Sequence, residues 1–142
     1  MTSIKLDQAN RIIEAAVARG KELGLKPLSV AVLDAGGHLV AFQRQDASST
    51  LRPQIAMGKA GGALGLGLPS RAIAEMAAER PSFVAALGTL APWGVVPAAG
   101  GLLVRETPSG PILGAVGVTG DTSDNDEACA RAGIEAAGLL AA

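Results

Sequence analysis

Ile112-Leu-Gly-Ala-Val-Gly-Val-Thr-Gly-Asp-Thr-Ser-Asp-Asn-Asp-Glu127 reads as an apolar strand, a Gly-Asp turn and the start of a last helix. Gly114 and Gly117 break the apolar run, so another backbone or a ligand can approach the strand closely. Thr119-Gly120 then places a hydroxyl and free amides at the strand's end, an ordinary position for a binding site. Asp124 to Glu127 has capping-box spacing, and Ala128 to Leu140 continues as an Ala-rich helix.

Working backwards, Gly101 to Glu106 and Ile112 to Val118 flank the turn Thr107-Pro-Ser-Gly-Pro111 and form one hairpin. Leu28 to Asp34 and His38 to Arg44 form another, around Ala35-Gly-Gly37. The first run of this earlier hairpin lacks polar alternation, so both its faces should be covered. Leu6 to Leu23 has one apolar face and is read as a helix stopped by Gly24 and Pro27. Gln54 to Leu66 has helical spacing but is weakened by Gly58, Gly61, Gly62, Gly65 and Gly67. Each costs about 0.5–1 kcal/mol relative to Ala, so this helix requires tight packing against the sheet or a second subunit. Ser70 is read as the cap of a short helix from Arg71 to Arg80, with a further turn or two from Phe83 to Leu87. The order is α-β-β-α-α-β-β-α, an α+β fold in which two hairpins build an antiparallel sheet with helices packed on it.

At 142 residues, one domain is expected, burying about 68% of its unfolded surface. The net charge is −1, and Trp93, Phe42 and Phe83 are the only aromatics, which argues against a nucleic-acid surface. No apolar run is long enough for a membrane span. The amino terminus lacks the layout of a signal peptide, so a cytoplasmic location is the default. The lone Cys129 is read as packing rather than chemistry. The content of hydrophobic residues is 49%, which for one small domain predicts a homo-oligomer.

Nucleotide loops fail on spacing, since Gly65-Leu-Gly67 lacks a third glycine and Gly58-Lys59 lacks the Walker-loop glycine. Read as a calcium loop from Asp121, the chain has Asp126 where Gly belongs and Ala132 where Glu belongs. No metal site is assigned. His38 is the single histidine, either an exposed strand-start residue or a group for proton transfer or iron ligation. Lys59 lies among Ile55, Ala56, Met57, Ala60 and Gly61. It either snorkels from the helix edge or points into a pocket as a proton acceptor or anion anchor. Arg44 and Arg105 could clamp a carboxylate, and Arg44 could instead pair with Asp46.

Four segments resemble the GlcG/HbpS-like family of haem-degrading or haem-binding proteins, which includes the C-terminal domain of PduO-type proteins. They are the first helix running into Leu28-Ser-Val-Ala-Val-Leu-Asp34-Ala-Gly-Gly-His38, then Arg44-Gln-Asp46, then Ala56-Met-Gly-Lys59-Ala60, and finally Gly114-Ala-Val-Gly-Val-Thr-Gly120 with Asp126-Glu127. The resemblance implies a compact domain that assembles as dimers or rings, with a small-ligand pocket and, in some members, haem or corrinoid-related roles. Haem enters as a cofactor only through this resemblance. Residues 6–24 contain no histidine, so His38 is the imidazole available to such a ligand.

Two functional readings follow. In the first, the chain binds a small molecule, haem or another tetrapyrrole, with His38 as imidazole and Arg44 or Arg105 on the propionates. In the second, it is a cofactor-independent isomerase, lyase or hydrolase for a small carboxylate. Lys59 or His38 would move the proton, Arg44 would anchor the acid, and the amides around Thr119 and Gly120 would stabilise negative charge.

Overall fold

The computed structural model describes residues 1–142. Its elements are α1 (Leu6–Glu22), β1 (Ser29–Asp34), β2 (Leu39–Arg44), α2 (Arg52–Leu66), α3 (Ser70–Glu79), α4 (Pro81–Leu90), β3 (Gly101–Arg105), β4 (Ile112–Thr119), α5 (Ser123–Ala136) and β5 (Leu140–Ala141). The sheet order is β2-β1-β4-β3-β5, antiparallel throughout. The α+β class and both hairpins are as expected, and β1 and β4 join the two hairpins down the middle.

Two elements extend the expected order. The turn or two after Pro81 is a full helix, α4, and the expected end of the last helix is instead β5. Gly138, at φ +75°, turns the chain back there. Leu103 and Ala142 then exchange backbone hydrogen bonds of 2.7 and 2.9 Å, which covers the β3 edge.

Alternation along the strands builds two cores. Val30, Val32, Leu102, Val104, Val116 and Val118 face α1 and α5, with Ile12, Ile13, Cys129 and Ile134 filling that layer. Leu33, Leu103 and Ala115 face Ala60 and Ala63 of α2. Both faces of β1 are therefore covered by helices, which is why its sequence does not alternate. Cys129 is fully buried, and desolvation, helped by the Asp126 charge, pushes its thiol up to about 11. It is an inert packing residue.

Three of the four glycines of α2 find their compensation within the chain, and Gly65 faces open space. A Cβ at Gly58 would lie 2.6 Å from Val96 Cγ2, one at Gly61 3.0 Å from Trp93 Cβ, and one at Gly62 3.2 Å from Val95 Cγ1. The sheet supplies the opposite half of the fit. A Cβ at Gly117 would overlap the Ala56 carbonyl oxygen, and one at Gly101 the Lys59 carbonyl oxygen. Helix and strand backbones thus touch directly.

Helix starts differ from the expected caps. Pro69, not Ser70, is the N-cap residue of α3. Ser70 Oγ instead accepts from the Gly101 amide at 2.7 Å, tying α3 to β3. At α5 the cap is Thr122, whose hydroxyl accepts from the Asn125 amide at 3.3 Å. This frees the acidic residues that were expected to cap the helix. Asp124 and Glu127 pair with Arg71 of α3, and Asp126 turns inward.

Candidate functional site

Strand register sorts the expected site residues between the two ends of the sheet. Ser29 of β1 pairs with Arg44 and with Thr119, whereas Asp34 pairs with Gly114 and lies beside the turn leading to His38. Arg105 pairs with Ile112, also at the Asp34 end. Arg44, Asp46, Thr119 and Gly120 therefore share one end, while His38 and Arg105 occupy the other. Along β1 the two ends are about 17 Å apart.

Lys59 neither snorkels nor lines an open pocket. It is 2% exposed, and its Nζ donates to the Val118 carbonyl at 3.0 Å and to Asp126 Oδ2 at 3.2 Å. Desolvation lowers its pKa, the Asp126 carboxylate opposes that shift, and the Arg52 charge adds to it. Asp126, 1% exposed, uses its other oxygen to accept from the Asp121 amide at 2.9 Å. One buried ion pair thus joins α2, α5 and the end of β4.

Asp121 itself lies nearer the surface. Its carboxyl is held down to about 2, first by the Asn125 side chain and then by the amides of Thr122 and Lys26. Because the folded value lies below the ordinary 3.8, this group's contribution is complete above that pH and is lost as pH falls toward 2. Asp121→Ala is accordingly expected to flatten the decline in urea stability across that window. An unchanged slope would show that Asp121 does not contribute to it.

At the opposite end, Asp34 Oδ1 accepts from the Gly36 amide at 2.9 Å, the His38 amide at 2.9 Å and His38 Nδ1 at 3.1 Å. Burial works against the carboxylate, but these bonds and the imidazole hold Asp34 below its ordinary range. The His38 side chain is 80% exposed. In the neutral tautomer whose Nδ1 donates to the carboxylate, Nε2 carries a free lone pair. Beside this turn lies a groove of about 230 Å³, lined by Gly36, Gly37, Gly61, Leu64, Gly65 and Trp93 among others. The Trp93 indole donates to the Gly37 carbonyl at 2.8 Å and fixes the groove wall. Arg105 is engaged within its own hairpin, donating to the Gly110 carbonyl.

At the Arg44 end, a cleft of about 500 Å³ lies between the last turns of α1 and the end of β2. Lys21, Pro27, Arg44, Gln45 and Asp46 line it. Arg44 and Asp46 share this cleft without forming an ion pair. Gly120 sits behind its wall at φ +151°, where a Cβ would overlap the Pro27 carbonyl oxygen. Thr119 is buried and accepts from Arg52 Nη1 at 2.8 Å.

A family model described as haem-degrading protein HbpS-like matches residues 4–135. The chain belongs to the HbpS-like family. Among solved structures, a double mutant of Streptomyces reticuli HbpS is 30% identical with TM-score 0.80, covering 95% of this chain and 87% of that one. A PduOC–haem complex is 20% identical with TM-score 0.83, covering 96% of both chains. The Klebsiella pneumoniae protein ORFY is 24% identical with TM-score 0.83, covering 96% of this chain and 92% of that one. At these lower identities the likeness is one of fold. No curated protein sequence matches the chain. No helix of this HbpS-like chain is long and apolar enough to cross a membrane.

Sequence reasoning passed over three residues that the HbpS-like fold makes prominent. Asp34 closes on His38 four positions later, a pairing that the Asp-x-Gly-x-His spacing of the turn could have signalled. Asp126 looked like a cap because its neighbours are acidic and a helix follows. Arg52 precedes the expected helix, and nothing local indicates that it reaches Thr119, 67 positions away.

Proposed function

We propose that this protein binds a small molecule of the haem or tetrapyrrole class, with His38 Nε2 as the group that meets the metal. The observation that carries this reading is the Asp34–His38 pair. A carboxylate holding one imidazole nitrogen, with the other exposed, is the arrangement that orients histidine toward a metal. The adjoining groove supports it by offering Trp93 and an apolar glycine surface to a flat ligand. A bound metallotetrapyrrole supplies an open coordination position, and this chain's residues orient the imidazole and wall the ligand. Arg44, at the far end of the sheet, does not take part.

The reading includes the homo-oligomer expected from composition. Residues 81–104 carry no charged side chain, while Phe83 and Leu90 of α4 are exposed, a surface suited to self-association. A monomeric mass by light scattering at micromolar concentration would remove that part.

Titration with hemin is expected to shift the Soret band of the wild type and to leave it unshifted in His38→Ala. Asp34→Asn keeps an acceptor for the turn but loses the negative charge behind the imidazole. Its hemin affinity is expected to fall about 10–100-fold. A wild type that leaves the spectrum of free hemin unchanged, or a His38→Ala variant that binds as well, would overturn the assignment.

The acid–base alternative needs Lys59 or His38 beside Arg44. The three do not share a cavity within the chain, since Lys59 is sealed against Asp126 and His38 stands at the other end of the sheet.

A further inference from the structure

The end of the sheet remote from His38 contains polar groups that the fold leaves unsatisfied. Register places Arg44, Ser29 and Thr119 side by side across β2, β1 and β4, where directly paired side chains project from one face at about 4.5–5.5 Å spacing. That face is the one α2 covers, because Gly117, two positions before Thr119, packs under Ala56. From the first residue of α2, Arg52 reaches down to Thr119 Oγ1.

Within this row, Ser29 is 0% exposed and its hydroxyl has no hydrogen-bond partner. The loop that joins β2 to α2 adds a second orphan, the buried Ser48 Oγ. The same loop holds Ala47 at φ +67°, the one non-glycine residue of the chain with positive φ. Such backbone is uncommon for alanine and gathers at ligand sites. Neither Arg44 nor Arg52 has a carboxylate partner.

Buried hydroxyls without partners are rare, and each one calls for a missing group. The identity of that group follows from its neighbours. A hydroxyl can donate or accept, whereas guanidinium groups only donate, so a group that meets both is an acceptor. Two uncompensated cations on the row exclude a metal ion and favour negative charge.

We propose that Ser29, Thr119 and Arg52, with Arg44 at the rim, form a binding site for a small oxyanion, a carboxylate or a phosphate. This site lies beyond the tetrapyrrole reading and does not depend on it, because His38 is at the opposite end of β1. Either reading can fail without the other.

The test is thermal denaturation and calorimetry of the full chain with sodium acetate or inorganic phosphate, against sodium chloride at equal ionic strength. Acetate raising the melting temperature more than phosphate identifies a carboxylate site, and the reverse order a phosphate site. Arg52→Gln is expected to weaken binding at least about tenfold. Ser29→Ala is the second variant, and it separates a ligand site from ordinary packing. It is expected to weaken oxyanion binding while leaving the ligand-free protein as stable as the wild type or more so, since it removes an unpartnered buried hydroxyl. Equal melting temperatures in acetate, phosphate and chloride would overturn the proposal and leave the orphan hydroxyls to water. So would a Ser29→Ala variant that melts lower without ligand and binds unchanged.

Discussion

Lys59→Met is expected to lower folding stability by about 3–5 kcal/mol, measured by urea unfolding at neutral pH. The loss does not come from the methylenes, which methionine replaces with similar volume. It comes from Asp126, left 1% exposed with its charge opposed only by the Asp121 amide. Removing one member of a buried pair strands the other, whereas removing both charges can be close to neutral. Lys59→Met combined with Asp126→Asn should therefore recover most of the loss, because Asn still accepts from the Asp121 amide. A single variant within about 1 kcal/mol of the wild type, inside the range of an exposed pair, would mean that the pair does not hold α2 to α5.

Gly117→Ala is expected to cost about 3 kcal/mol or more, at or past the upper end for overpacking. The added methyl would overlap the Ala56 carbonyl oxygen and come within 2.9 Å of the Ala60 amide nitrogen. Both are backbone atoms of α2, so no side chain can rotate away and the helix itself must lift from the sheet. Gly65→Ala in the same helix is the control. Nothing lies within 4 Å of the point its added methyl would occupy, so the variant should gain about 0.5–1 kcal/mol from helix propensity and lost unfolded-state freedom. Opposite signs at Gly117, which lies under the α2 backbone, and at Gly65, which faces open space, would establish that backbone approach, not composition, makes the α2–β4 contact sensitive. Similar values would remove that explanation.

These two contacts also show how far the order of residues reaches. Apolar periodicity and turn chemistry act over a few neighbours, and they identified α1, both hairpins and the α+β class. They identified α2 as well, despite its glycines, and the demand for tight packing followed from their cost. Local signals failed where a side chain is claimed by a distant element. Ser70 looked like a cap but binds Gly101, Asp126 looked like a cap but binds Lys59, and β5 forms only because the β3 edge is there to receive it.

The site followed the same division. Sequence singled out His38, Arg44, Lys59 and Thr119 by residue type and position, because single histidines, lone cations in apolar runs and glycine-flanked hydroxyls stand out along a chain. Whether those groups meet is a matter of strand register and antiparallel direction. Register placed His38 and Arg44 at opposite ends of β1, put Ser29 between Arg44 and Thr119, and sealed Lys59 against Asp126. Short-range propensity thus set the elements and the fold class of this protein. Long-range hydrogen bonding and burial, which no local stretch encodes, decided which of its polar groups are left free to bind.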